Sequence, residues 1–148
     1  MPPLSEAKIT MVNSYLSEVA KRIDSPSPTL IFYFDFLNKY TTGRGRGEIR
    51  GRYFYPDYET KEFRNKIGIA MNYNFRDEDD VIKCVKHEIA EWLEFVQDGK
   101  ELNRRLHIHT NDHTYMNLRR LVSKYFPLRP DKLAESFNDI RKNKHAKV

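Results

Sequence analysis

Cysteine is almost missing from this chain: Cys84 stands alone among 148 residues. One thiol cannot close an internal disulfide or build a cysteine-based zinc cluster, and it fits a reducing compartment such as the cytoplasm. Long hydrophobic runs are missing too. No stretch approaches the roughly 18 apolar residues that a membrane-crossing helix needs, so no membrane partner is expected. The opening "MPPLSEAKITMVNSYLSEVAKRI" is broken by charges at helical spacing. It carries neither the apolar core nor the small-residue cleavage site of a secretory signal, and the expectation is a cytoplasmic protein. Internal repeats and domain linkers are also missing, so one domain over residues 1–140 is expected, followed by a basic tail at 141–148.

What is present suffices for a core. Hydrophobic residues make up 39% of the chain, with nine Tyr and nine Phe. Ile9, Val12, Leu16, Val19 and Ile23 recur at steps of three and four, which predicts an amphipathic helix over 5–23 with Ser5 as its N-cap. The prolines of "DSPSPT" end it. "TLIFYFDFL" (29–37), "EIRGRYFYP" (48–56) and "NKIGIAMNY" (65–73) are rich in β-formers and predict three strands, the last two as an antiparallel hairpin with a long turn. "RDEDDVIKCVKHEIAEWLEFVQDGK" predicts a long helix, with acidic residues at its positive end and a glycine stop. "HTYMNLRRLVSKYF" predicts a further helix with Tyr115, Leu118, Val122 and Tyr125 on one face. "PLRP" breaks it, and a short last helix is expected over about 131–141. The fold class is α+β: a helix, a small, mostly antiparallel sheet of about three strands, a long helix and two more.

The long helix carries the chemistry. On a wheel of about 100° per residue, Val81, Cys84, Val85, Ile89, Trp92, Leu93, Phe95 and Val96 form an apolar arc. Lys83, Lys86, Glu94 and Gln97 lie opposite, where solvent-facing residues belong. Glu88 falls inside the apolar arc, Glu91 at its margin, and His87 one step further round. A buried carboxylate costs several kcal/mol unless it is neutralised, paired or bound to a metal. His87 and Glu91, four residues apart, can grip one ion from one side of the helix, with Glu88 beside them as a base for metal-bound water. The plainer alternative is an amphipathic helix whose partly buried glutamates pair with an Arg or Lys. A third ligand has three candidates in "LHIHTNDHTY": His113, which opens the next helix, then His109, with His107 as a ligand, an outer partner or a merely exposed residue.

The strand "IGIAMN", the short acidic connector, the helix "VIKCVKHEIAEW" and the later "HTYMNLRRL" together resemble the SprT-like (Spartan-type) zincin metallopeptidases over roughly residues 67–122. The resemblance implies a zincin-like fold and one Zn2+. Its ligands would be His87, residue 91 and His113, and Glu88 would be the general base in peptide-bond hydrolysis. It also implies a protein or peptide substrate held by an edge strand, for which 65–73 is the candidate, and an association with nucleic acid. The chain departs from the family pattern at Glu91, which replaces the second histidine of HExxH. Glutamate binds zinc through oxygen and makes a bound water less acidic, so the metal, the activity or the role of the site can differ.

Charge supplies the rival from another class. The net charge is +5, with a pI near 9.3. "GRGRGEIRGRYFY" interleaves Arg44, Arg46, Arg50 and Arg52 with glycines and then aromatics, material for phosphates and stacked bases. No GK[ST] follows, so this is not a P-loop. It supports a non-catalytic nucleic-acid-binding protein, unless Tyr53, Phe54 and Tyr55 instead belong to the core. The tail residues Arg141, Lys142, Lys144, His145 and Lys147 are expected to be solvated charge.

Overall fold

The computed structural model describes residues 2–34, 40–42, 45–47, 50–99 and 113–146. Among these residues four α-helices and five short strands make an α+β fold: α1 (Glu6–Arg22), β1 (Thr29–Tyr33), β2 (Tyr40–Thr42), β3 (Gly45–Gly47), β4 (Gly51–Phe54), β5 (Lys66–Ala70), α2 (Glu78–Asp98), α3 (His113–Tyr125) and α4 (Pro130–Ala146). A single 3-10 turn, Lys61–Phe63, lies between β4 and β5. No helix among the described residues is long and apolar enough to cross a membrane.

Helix ends fall where local chemistry places them. The Ser5 hydroxyl accepts from the Lys8 N–H at the start of α1. The Asp77 carboxylate accepts from the Asp80 N–H at 2.8 Å at the start of α2, a cap that contributes about 1 kcal/mol. Gly99 ends α2 at φ 65°, a left-handed conformation that glycine enters without a Cβ penalty, and donates its N–H to the Phe95 carbonyl at 2.7 Å.

The main sheet has the order β1-β5-β4. β4 and β5 form the expected antiparallel pair, and β1 runs parallel to β5, so the three-strand sheet is mixed. β5 is therefore the central strand. Both its edges are paired, and it cannot accept a substrate by strand addition as expected of residues 65–73. Among the described residues the edge strands are β1 and β4. The Ala70 N–H donates to the Arg50 carbonyl at 2.9 Å, and bonded pairs alternate in an antiparallel ladder, so the backbone groups of Gly51 and Tyr53 point away from β5. A second, two-stranded sheet pairs β2 with β3, where the sequence suggests only a glycine-rich loop.

α2 lies across β4 and β5, and α3 packs along α2; α4 packs on α1 and α3. Val85, Ile89, Trp92 and Leu93 of α2 meet Ile67 and Ile69 of β5, Leu118 and Val122 of α3, and Phe137 of α4 in one core. The opposite sheet face is covered by aromatics, with Phe54 stacked on Phe63 at 5.0 Å and edge-on to Tyr33 at 5.4 Å. Gly51 sets how closely α2 approaches the sheet: a Cβ there would stand 2.6 Å from Cys84 Sγ and 3.0 Å from the Gly68 carbonyl oxygen. The last helix is longer than expected and runs through Ala146, so most of the segment expected as a tail from 141 lies on α4.

Candidate metal centre

The middle of α2 carries His87, Glu88 and Glu91 towards α3 and the edge of β4 that no described strand pairs. Among the described residues these three bring one donor atom each within 4.8 Å of one another, a group that can hold a metal ion. His87 Nε2 stands 3.9 Å from Glu88 Oε1 and 4.0 Å from Glu91 Oε2. Glu88 is 3% exposed and Glu91 9%, whereas the His87 side chain is 30% exposed and opens the group to solvent. α3 contributes Tyr115, which is fully buried. Its hydroxyl lies against the imidazole, 2.9 Å from Nδ1 and 3.2 Å from Nε2.

The electrostatics are those of an acidic pocket. Burial raises the Glu88 carboxyl well above its ordinary range, and the Glu91 charge and a hydrogen bond with Glu91 push it the same way. The Tyr53 backbone N–H, one of the groups turned outward from β4, opposes the shift by donating to Glu88. Glu88 Oε2 has no hydrogen-bond partner among the described residues. The Tyr115 phenol is likewise pushed up, first by burial and then by Glu91 and Glu88, with Glu94 adding to the effect and Arg119 opposing it. Cys84, one turn before Glu88, is buried and its thiol is pushed up to about 12, chiefly by burial. It is a packing residue here, not a nucleophile.

The residues fit a small cation. Ligands about 2.0–2.2 Å from one tetrahedral ion stand roughly 3.3–3.6 Å apart, so the 4.0 Å between His87 Nε2 and Glu91 Oε2 needs a few tenths of an ångström of closure. A buried carboxylate oxygen without a donor is the group that an ion would satisfy.

The other site residues expected from sequence are placed differently. His113 opens α3 and is exposed, outside the close group of three. His107, His109 and Arg44 lie outside the described residues. Arg46 falls in β3. Arg50 is held against Asp80, Nη1 to Oδ1 at 3.6 Å, and over the Tyr73 ring; Arg52 lies over Phe54. Tyr53 and Phe54 are buried at 3% and 2% exposure, so they are core residues and offer no stacking surface for bases.

Two buried polar residues of α2 escape the sequence reading. Glu94, expected on the solvent face, is 1% exposed, and Gln97 is 5% exposed. The wheel assumes one buried face, but α3 covers the opposite flank, which brings Glu94 within electrostatic reach of Tyr115. Tyr115 is core, as its spacing implies. Its hydroxyl partner on another helix leaves no mark in local periodicity.

No protein family model, no curated protein and no solved structure matches this chain.

Proposed function

We propose that this chain is a metal-dependent peptidase, or a descendant of one, of the kind its SprT-like resemblance implies. The observation that supports it is the His87–Glu88–Glu91 group, buried on one flank and open on the His87 side, beside a strand edge whose outward backbone groups come from Gly51 and Tyr53. When bound, a zinc or similar ion would polarise a scissile carbonyl and lower the pKa of a water. His87 and Glu91 would hold the ion. His113 is the further ligand that the resemblance implies. Glu88 takes the proton of the attacking water and delivers it to the leaving amine, a task suited to a carboxyl whose affinity for a proton is raised by burial. An extended peptide aligns along β4 rather than β5, using the outward groups of Gly51 and the Tyr53 carbonyl, since the Tyr53 N–H donates to Glu88. The setting is a reducing compartment such as the cytoplasm, and the substrates are proteins or peptides, nucleic-acid-associated ones included.

The test is metal content after purification without chelator, for the wild type, His87→Ala and Glu91→Ala, followed by hydrolysis of unfolded protein substrates. About one equivalent of ion in the wild type, lost in both variants, with turnover abolished in a metal-replete Glu88→Gln protein, is the expected result. An ion bound without turnover, whose removal only lowers the melting temperature, would make the site a structural staple. No ion after addition of micromolar Zn2+ would refute the metal centre.

One observation favours a second reading, nucleic-acid binding without catalysis. Residues 113–148 carry nine Lys and Arg against three Asp and Glu, a net charge of +6, while residues 1–112 carry seventeen against eighteen, a net charge of −1. The basic excess thus lies on the α3–α4 hairpin and its end, not on the glycine-arginine segment. Arg119, Arg120, Lys124, Arg129 and Lys142 are all exposed there.

A further inference from the structure

Among the described residues Arg52 has no ion-pair partner, whereas Arg50, two positions earlier, is held by Asp80. Asp57, Glu59 and Glu62, the acidic residues of the connection from β4 to β5, are exposed and none of them pairs with it. We infer that Arg52 selects the substrate: it pairs with an acidic side chain of an extended peptide lying along the outer edge of β4, on the sheet face away from the metal centre. This rests on the peptidase reading above and deepens it by naming the class of peptide, one with Asp or Glu next to the residue that lies beside Tyr53.

The strand geometry carries the assignment. Successive side chains of β4 point to opposite faces of the sheet. A Cβ on Gly51 would meet Cys84 Sγ, so that position faces α2. Arg52 stands opposite Gly68, where a Cβ would meet the rings of Phe54 and Tyr33, so this pair faces the aromatic side. On that side the Arg52 guanidinium lies over the Phe54 ring, 5.8 Å from its centroid, and the residue is half-buried. A guanidinium resting on a ring is already partly ordered and loses less freedom when it gains a carboxylate.

No described strand lies outside β4. A peptide that adds there continues the alternation of the sheet. Its residue opposite Arg52 shows its side chain on the aromatic face, Cβ to Cβ at about 4.5–5.5 Å. The neighbouring residue, opposite Tyr53, turns towards α2, where Glu88 accepts from the Tyr53 N–H. One peptide thus presents one side chain to the His87–Glu88–Glu91 group and the next to Arg52. Backbone bonds to the strand edge favour any extended peptide; the preference for one comes from the side chains it meets. At Arg52 a carboxylate meets an unpaired cation, and Lys or Arg meets a like charge.

The test is binding of fluorescein-labelled, uncharged heptapeptides, with Asp, Asn or Lys placed at each position in turn, to the chelated protein by fluorescence anisotropy. At one position Asp should bind up to about fivefold more tightly than Asn, and Lys more weakly than either. Arg52→Gln should erase the difference and Arg52→Glu should invert it, which a packing defect does not do. The contrast should fade as salt rises. In the zinc-loaded protein the same substitutions should move KM for the Asp peptide and leave kcat. Equal binding of Asp and Lys peptides at every position, or an Asp preference that survives in Arg52→Glu, would overturn the assignment and leave the peptidase reading to its own test by metal content and turnover. Failure of every peptide to bind, with and without Zn2+, would overturn strand addition along β4 and the assignment with it.

Discussion

Replacing Glu88 with glutamine should stabilise the metal-free protein at neutral pH, the opposite of what removing a buried charge partner does. The reason is the raised proton affinity of this carboxyl, caused first by burial and then by Glu91. A group that titrates higher in the fold than in the unfolded chain contributes its full stability below its unfolded value, here 4.5, and loses it as pH rises through the folded value. Holding the proton while the unfolded chain releases it costs at most about 1.4 kcal/mol per pH unit, so the ceiling near pH 7.5 is about 4 kcal/mol. Glutamine keeps the size, cannot ionise and removes this cost. A chain of this length shifts its melting temperature by roughly 2–4 °C per kcal/mol, so a gain of several degrees is expected at pH 7.5 and a much smaller one at pH 5.5. The assay is thermal melting of both chelated proteins from pH 5.5 to 8, and the difference between them isolates this group from the other titrations. Saturating Zn2+ should raise both melting temperatures, by about 2.7 kcal/mol of stability at a hundredfold excess over Kd, because glutamine leaves His87 and Glu91 intact. A metal-free Glu88→Gln protein that is less stable than the wild type at pH 7.5 would refute the reasoning, since it would mean that Glu88 is ionised and held by a cation.

Gly51→Ala should cost about 1–3 kcal/mol in urea unfolding, because its Cβ would meet Cys84 Sγ at 2.6 Å, and Cys84→Ala in the same chain should recover part of the loss; a neutral single variant would mean that α2 does not approach β4 so closely. Charge reversal at Arg120, Lys124 and Lys142 should reduce binding to single-stranded oligonucleotide and lower the slope of log affinity against log salt by roughly 0.7 for each phosphate no longer neutralised, with no effect of chelator. Unchanged binding, together with weakening by Arg50 and Arg52 substitutions, would return the interface to the glycine-arginine segment.

How much of this is legible in the sequence differs by element. α1 is readable almost to the residue, since Ser5 caps it and its apolar residues recur at one period. α2 is readable in extent from Asp77 to Gly99, yet not in burial, because periodicity describes one face and α3 covers another. The hairpin of β4 and β5 follows from two runs of β-formers, but the parallel β1 does not: strand direction depends on where the chain returns after its connection, and nothing in "TLIFY" encodes that. The three-residue group of His87, Glu88 and Glu91 is visible because the helix alone determines their spacing. Tyr115 is not, because its approach to His87 spans 28 residues and two helices.

Among the described residues Glu88 does not follow the plainer account of this helix, in which a buried glutamate pairs with an Arg or Lys. His87 is the one ion-pair partner of Glu88 among the described residues. The other influences on Glu88 are its burial and the Glu91 carboxylate, which hold its proton on, and one backbone N–H from β4, which opposes them. Arg50, which directly precedes that strand, is committed to Asp80 instead. Without an ion, Glu88 relieves its burial by keeping a proton and sharing it towards Glu91. With an ion, the same two carboxylates have a cation to face, and the raised affinity of Glu88 for a proton becomes the property a general base requires. A network built only for stability would gain from apolar residues at these positions, as buried ion pairs often do. An acidic pair placed beside an open imidazole gains from a ligand.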